Sequence, residues 1–471
     1  MHDELIQKLQ KTLGNPGILT VPADMAPYCE DWRGLYRGRA AAVLRPATTE
    51  QVADAVRLCA EHNVAVVPQG GNTGMVGGTA ITGDGSQIVV NLSRLNRIRT
   101  IDPIDMTLEV EAGVTLKAAQ DAVETAGCLL PLSISSEGTA QIGGVLAVNA
   151  GGNNTVKYGN ARDLLLGLEV VLPDGQIWNG LRRLRKDNTG YCLRQLFAGS
   201  EGTLGIITAA VMKLAPRPRQ IEAAMCAVES PQAALDLFRK FQHHDPDAIL
   251  AFEYMSGEGL DLVIEHIPGA SLPLGARAPG YVLVELGVVR TSGDLRAELE
   301  LILSEAFEAG LVSDAVIAES GQQRASLWKL REEHSEAQKR EGASVKNDVS
   351  VPVSAVPELL RRASESCERL VPGIRVMPFG HIGDGNIHFN LLQPKEMQAS
   401  DFLARDREIM SAVNEVVQSL HGSFSAEHGV GCLKTPLMRH WRGGPELEIM
   451  HRLKRALDPQ GLLNPKKVLP S

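Results

Sequence analysis

Apolar residues recur at Leu5, Ile6, Leu9 and Leu13 and stop at Gly14. That spacing puts them on one face of a short helix. Residues 41–45 are a short apolar run closed by Pro46 and read as a strand. Thr48 and Gln51 are spaced for a capping box, and Val52, Ala55, Val56 and Cys59 carry the helical period onward. Strand-type runs follow at 64–67 and 88–92, with Gly83-Asp84-Gly85 as a turn before the second. A helix is predicted over 116–126, ended by Gly127. Residues 131–153 are too rich in glycine for a regular element and too apolar for a linker. They suit backbone lying flat against a large planar ligand. Residues 167–172 read as a strand, 173–175 as a turn into 176–178, and 206–207 as the start of another strand.

Between the runs at 64–67 and 88–92 lies Pro68-Gln-Gly-Gly-Asn-Thr-Gly-Met-Val-Gly-Gly-Thr79. Its glycines free the backbone to approach a ligand, and its N–H groups can form an anion-binding concavity. Asn72, Thr73 and Thr79 add polar side chains. The stretch reads either as a loop that wraps a pyrophosphate or as a glycine-rich surface turn. Its glycine spacing matches neither the Rossmann fingerprint nor the P-loop.

Pro216-Arg-Pro218 marks a boundary. Beyond it, strands are predicted at 223–228, 248–253, 281–286, 345–351 and 375–379. Helices are predicted at 231–241, 295–308, 320–340, 356–370 and 402–420. The alternation reads as an α+β sheet covered by helices. A chain of 471 residues is long enough for two or three domains. The net charge of −9 argues against non-specific nucleic-acid binding. No apolar run approaches the length of a transmembrane segment, and residues 1–13 lack the order of a signal peptide. Seven scattered cysteines without a CxxC pair point to free thiols and a cytoplasmic, reducing setting.

The residues with the most chemistry come late. His381-Ile-Gly-Asp-Gly-Asn-Ile-His-Phe-Asn390 reads as strand, tight turn and strand. Alternation puts His388 and Asn390 on one face, and the turn can return His381 toward His388. Two imidazoles and a carboxylate make a divalent-metal site with open positions, and Glu427 in Ser-Ala-Glu-His-Gly-Val-Gly is the carboxylate candidate. Each histidine alone is more often a satisfied core or hairpin residue. Asp384 sits in a turn where Asp is usual for backbone reasons, and is not counted as a ligand. Arg331 on its helix and Lys346 on its strand are candidate anion contacts, against the plainer reading of solvated cations.

Three motifs in order, Pro-Gln-Gly-Gly-Asn-Thr-Gly, Ile-Gly-Gly-(x)4-Asn-Ala-Gly-Gly and Gly-Ser-Glu-Gly-Thr-Leu-Gly-Ile, resemble the FAD domain of the vanillyl-alcohol oxidase / p-cresol methylhydroxylase superfamily. The hairpin motif, Ser-Ala-Glu-His-Gly-Val-Gly and the closing Leu-Asp-Pro-Gln-Gly-Leu-Leu-Asn-Pro resemble the FAD-linked D-2-hydroxyacid dehydrogenases. The pattern is nearest to members that oxidise D-2-hydroxyglutarate; D-lactate and glycolate enzymes share much of it. The resemblance implies an α+β fold with a PCMH-type FAD-binding domain at 36–215 after an N-terminal helical segment at 1–35. A substrate-binding cap at 216–424 with an antiparallel sheet follows, then a C-terminal segment at 425–471 that returns to the FAD domain.

It also implies FAD contacts at Pro68, Gly70, Gly71, Asn72, Thr73, Gly74 and Met75 for the diphosphate. Gly138, Gly143, Gly144, Asn149, Gly151, Glu201, Gly202, Gly205, Ile206 and Asn464 would lie toward the rest of the cofactor. The first loop has no histidine and carries Asn72, so noncovalent FAD is expected. His381, His388 and Glu427 would hold Zn²⁺, and His428 would be the base. Arg331, Ser335, Lys346 and Asn390 would contact substrate carboxylates. Oxidation of the 2-hydroxy acid would pass hydride to flavin. The electrons would leave to an acceptor other than NAD, such as an electron-transferring flavoprotein or a quinone. A homodimer is the expected assembly by analogy.

Overall fold

The computed structural model describes residues 2–82 and 85–470. The turn expected at Gly83 and Asp84 lies outside the described residues. The chain forms two compact units. One comprises residues 1–152, 159–217 and 427–471, and the other 153–158 and 218–426.

The first unit holds a four-stranded sheet and a five-stranded one. Strands Ile18–Leu19, Ala42–Leu44, Ile88–Asn91 and Val66–Gln69 lie side by side in that order. Ala42–Leu44 and Val66–Gln69 both run parallel to Ile88–Asn91. The helix Thr49–Glu61 makes the crossover between parallel strands. Its start is set by Thr48 Oγ1, which accepts from Gln51 N–H at 3.2 Å. Gln51 Oε1 in turn accepts from Ala47 N–H at 2.8 Å, one residue before the usual partner of a capping box. Leu5, Leu9 and Leu13 of the helix His2–Leu13 enter one core with Val52, Val56, Ile88 and Val90. The second sheet is antiparallel, in the order Ile98–Asp102, Thr107–Glu111, Ile206–Lys213, Leu165–Val171, Ile177–Gly180. The end of the chain returns to this unit. Val66 bridges to Leu463 in parallel, and Asn464 N–H bonds Val66 O at 2.7 Å.

The second unit is built on an eight-stranded antiparallel sheet. Its order is Asp314–Ile317, Gln220–Val228, Gly280–Val288, Ile249–Ser256, Arg375–His381, Asn386–Leu392 and Ser344–Val345, with Asp348–Ser350 also paired to Asn386–Leu392. Nearly all of Ile249–Ser256 and Gly280–Val288 is buried, as expected for central strands covered by helices. The helix Gly321–Glu332 is fastened to two of them through side chains on one face. Trp328 Nε1 donates to Glu285 at 2.7 Å, and Arg331 Nε donates to Glu253 at 2.7 Å.

Four regions depart from the sequence-based expectations. Residues 142–148, expected to be irregular, form the helix Ile142–Val148. Its Gly143 is there for packing, because a Cβ would meet Ala112 Cβ at 2.7 Å. The single helix expected over 320–340 is two, Gly321–Glu332 and His334–Glu341. Glu333 takes ψ 1° between them, and Arg331 and His334 are buried on either side of it. The strand expected at 345–351 is interrupted at Lys346 and Asn347, where the Asn347 side chain donates to Phe389 O at 3.0 Å. The helix expected at 402–420 is also split, into Ala399–Leu403 and Asp406–Ser419. The helix Gly257–His266 and the strands Ile98–Asp102, Thr107–Glu111 and Asp314–Ile317 were not anticipated.

Phe252 is 1% exposed, with the rings of Phe238 and Phe241 at 4.9 and 5.8 Å. Phe252→Ala leaves a cavity that these neighbours cannot close, costing about 3–5 kcal/mol. Calorimetry should show one unfolding transition moved to lower temperature, with the far-UV spectrum retained.

Candidate functional site

The hairpin Arg375–His381/Asn386–Leu392 pairs Phe379 with His388 and His381 with Asn386. The two imidazole rings lie 5.9 Å apart. Glu427 directly follows Ala426, whose N–H donates to Asp348 O at 3.3 Å. One ligand atom each from His381, His388 and Glu427 all lie within 4.8 Å of one another. His428 Nε2 is 3.8 Å from Glu427 Oε1.

A residue absent from the sequence reading organises this corner. Glu253 is fully buried on strand Ile249–Ser256, which pairs with Arg375–His381. Its Oε1 lies 2.6 Å from His381 Nδ1, and its Oε2 accepts from Arg331 Nε at 2.7 Å. Burial alone would raise the Glu253 carboxyl. The charges of His381 and Arg331 and their hydrogen bonds outweigh burial and hold it at about 2. Donation from Nδ1 to Glu253 leaves His381 Nε2 as the lone-pair atom for a metal. Phe379 is the shared backing. The Arg331 guanidinium sits 4.9 Å from its centroid, and the rings of His334 and His388 at 4.8 and 5.0 Å. Among the described residues no acceptor bonds the terminal nitrogens of Arg331, although its side chain is almost wholly enclosed.

Of the other expected substrate contacts, Asn390 is buried, and its Nδ2 donates to Gln338 Oε1 at 2.8 Å. Gln338, also unread in the sequence, donates to Met377 O at 3.4 Å. Lys346 is exposed at the strand interruption, where its charge reaches Glu336. Ser335 is exposed on the same helix as Glu336.

In the first unit, the loop after Val66–Gln69 is held by its own side chains. Asn72 Nδ2 donates to Glu30 O at 2.8 Å, and Asn72 Oδ1 accepts from Thr79 Oγ1 at 2.6 Å. Gln69 donates to Tyr28 O and accepts from Asn91, another pair not anticipated. Thr73 and Met75 are half-buried beside it. The expected cofactor glycines divide into two groups. A Cβ on Gly71 would lie 2.0 Å from Thr139 O, one on Gly202 2.7 Å from Pro68 Cγ, and one on Gly205 2.5 Å from Val170 Cγ1. These are glycines because protein packs against them. A Cβ on Gly70 would stand 3.5 Å from Gln141 Oε1 and 3.7 Å from Gly144 N, in ordinary contact. An added Cβ on Gly74, Gly138 or half-buried Gly144 would meet nothing within 4 Å. Two buried acceptors, Gln141 Oε1 and Asn464 Oδ1, have no partner among the described residues. Asn464 Nδ2 reaches Gly78 O and Glu201 O. Asn149 caps the helix Ile142–Val148 in a left-handed conformation and accepts from Arg162 N–H, next to buried Gly151. The Ile206 side chain lies in the unit's apolar core.

Residues 217–468 match the family described as FAD linked oxidases, C-terminal domain, and residues 40–180 match the FAD binding domain. The chain belongs to the FAD-linked oxidase family. It is a flavoprotein oxidoreductase. It is 38% identical to the mitochondrial D-2-hydroxyglutarate dehydrogenase of Bos taurus, over 97% of this chain and 82% of the relative. It is 36% identical to D-2-hydroxyglutarate dehydrogenase of Xanthomonas citri pv. viticola, over 99% of this chain and 97% of that one. Its fold is similar to that of p-cresol methylhydroxylase with substrate bound, at a TM-score of 0.75 and 17% identity, covering 99% of this chain and 96% of the other. The α+β expectation with a PCMH-type FAD-binding domain therefore holds.

The residues present fit the family's cofactor. Open space beside half-buried Gly144, with unpartnered acceptors at Gln141 and Asn464, suits a ligand carrying both flat surface and N–H donors. The imidazoles and carboxylate of His381, His388 and Glu427 suit a borderline-soft divalent ion such as Zn²⁺.

His334 gives this corner a pH dependence. It is fully enclosed, and among the described residues neither ring nitrogen has a partner. Burial, then the Arg331 charge, pushes its pKa from 6.5 down to about 3. Below 6.5 the unfolded chain binds a proton that the native imidazole refuses, so stability falls as pH drops from 6.5 toward 3. His334→Leu removes that penalty. Between pH 8 and pH 5 the variant should lose about 2 kcal/mol less stability than the parent, measured by denaturant melts at both pH values.

Proposed function

We propose that this protein oxidises a D-2-hydroxy dicarboxylate, D-2-hydroxyglutarate before others, to its 2-oxo acid with noncovalently bound FAD and Zn²⁺. The observation that carries the reading is the contact of one buried carboxylate, Glu253, with both Arg331 and His381. An anion-binding side chain and a metal-ligand candidate are thereby held at a fixed spacing. The names of the relatives, D-2-hydroxyglutarate dehydrogenases of Bos taurus and Xanthomonas citri pv. viticola, support the substrate.

When bound, FAD supplies the hydride acceptor, and Zn²⁺ on His381, His388 and Glu427 supplies the Lewis acidity that makes an alcohol easier to deprotonate. Arg331 presents its terminal nitrogens to a substrate carboxylate, with Nε already committed to Glu253. Lys346, Ser335 and Asn390 bind the rest of the acid and fix which face of C2 is presented. His428 takes the hydroxyl proton on its ring, and the neighbouring Glu427 carboxylate stabilises the charge that results. Electrons then leave to an acceptor other than NAD, an electron-transferring flavoprotein or a quinone.

Anaerobic stopped-flow reduction of the bound flavin tests the reading. D-2-hydroxyglutarate should bleach the flavin faster than D-lactate at equal concentration, and L-2-hydroxyglutarate should be inert. His428→Ala should slow reduction about 10²–10⁴-fold with FAD and metal retained; a parental rate would remove the histidine from this role. Glu253→Gln, which keeps one acceptor oxygen for two donors, should weaken Zn²⁺ binding about 10–100-fold in a chelator competition. Unchanged affinity would mean that His381 needs no orienting partner.

A further inference from the structure

The loop that carries Glu427 and His428 continues as Gly429-Val-Gly-Cys-Leu-Lys434. Gly429 and Gly431 both take positive φ, at 79° and 52°. With Val430 between them, the successive N–H groups of Val430 and Gly431 turn the same way and form a small concavity. One carboxylate fills it. Val430 N–H donates to Glu201 Oε1 at 2.7 Å, and Gly431 N–H to Glu201 Oε2 at 2.8 Å. Both oxygens are spent on the backbone of this loop, across more than two hundred residues of chain.

Glu201 is itself immobilised. It is 7% exposed, its N–H bonds Ala147 O at 2.8 Å, and its carbonyl accepts from Asn464 Nδ2 at 2.7 Å. The steric record agrees with a tight clamp. A Cβ on Gly429 would lie 2.8 Å from Glu201 Oε1, and one on Gly431 would lie 2.1 Å from Val76 O. Downstream, Cys432 and Leu433 N–H both bond Val76 O at 3.1 Å. The loop is thus pinned to the segment after Gly74 on one side and to Glu201 on the other. His428 is the residue immediately before the pinned stretch.

We propose that Glu201 is a positioning residue for His428. Its bidentate acceptance of the Val430 and Gly431 N–H groups fixes the loop from which the base acts. Two backbone donors on the two oxygens of one buried carboxyl fix the loop at two adjacent points, and a misplacement of about 1 Å at a reacting group costs on the order of 10²-fold in rate. The inference rests on the assignment of His428 as the base.

The test is Glu201→Gln in the FAD-loaded full chain. Glutamine keeps one acceptor and sets an amide N–H₂ against the second backbone donor. Flavin reduction per bound FAD should fall about 10–100-fold with KM for D-2-hydroxyglutarate within a factor of about three. FAD content should match the parent. Hydrogen exchange followed by mass spectrometry should show faster exchange in peptides spanning 429–432 and no change in strand Ile206–Lys213. A parental reduction rate, or unchanged exchange at 429–432, overturns the proposal. So does loss of FAD with a normal rate in the remaining holoenzyme, which would make Glu201 a cofactor contact only. Should the variant not fold, exchange in the parent decides: rapid exchange at Val430 and Gly431 overturns the clamp. The exchange result addresses the clamp alone. A parental rate in His428→Ala, with exchange altered in Glu201→Gln, would discard the base and keep the clamp.

Discussion

The buried Glu253 carboxylate is the constraint on which the second unit's chemistry depends. An ionised carboxylate taken out of water costs several kcal/mol, and it is tolerated only where charges and hydrogen bonds replace its hydration. Here the Arg331 guanidinium and the His381 ring supply both. The arrangement works in three directions at once. Arg331 cannot swing away from the hairpin without leaving a bare charge in the interior. His381 cannot flip its ring without losing its acceptor. The helix Gly321–Glu332 cannot slide along the sheet without breaking both this contact and that of Trp328 with Glu285. Sheet order makes this possible, since strand Ile249–Ser256 lies directly beside Arg375–His381.

The first unit reaches a comparable rigidity by other means. Its glycines at 71, 143, 202 and 205 are close-packed joints between segments. Gly74, Gly138 and Gly144 leave room, and that room is where a ligand can approach backbone. A motif that looks uniformly permissive as a string of letters is therefore mostly rigid masonry with a few open faces. Asn72 and Thr79 belong to the masonry, since they bond each other and the Glu30 carbonyl.

The hairpin with His381 and His388 was legible because its information is local. A Gly-Asp-Gly turn and two-residue alternation suffice to place both rings. The helices Leu295–Glu308 and Val356–Leu370 were legible for the same reason, with a clear apolar period over their whole length. Glu253 was illegible because nothing near it in the chain marks it. Its role is created by strand pairing with residues more than a hundred positions away. Gln338 and Glu201 are set by tertiary contacts too, Gln338 through Asn390 and Met377, and Glu201 through the loop at Val430 and Gly431. The helix Ile142–Val148 is hidden from sequence because two glycines lower intrinsic helix propensity by about 1 kcal/mol each, while close docking on Ala112 accounts for Gly143. The break at Glu333 follows from burying Arg331 and His334 together, a tertiary demand that helical periodicity does not encode.

The first unit is assembled from three separated stretches of chain, and the last of them contributes Leu463 and Asn464 to the sheet edge at Val66. During synthesis, Val66 and the glycine loop beside it leave the ribosome roughly four hundred residues before their partner does. The intervening unit has all of its long sheet in hand by Leu392 and can mature first. The first unit, although mostly encoded earlier, keeps one edge of Val66–Gln69 open until residues 463–464 have been made. A protein arranged in this way makes the strand beside its glycine loop depend on a segment encoded on the far side of the other unit, so that a chain cut within residues 218–426 would leave that edge open.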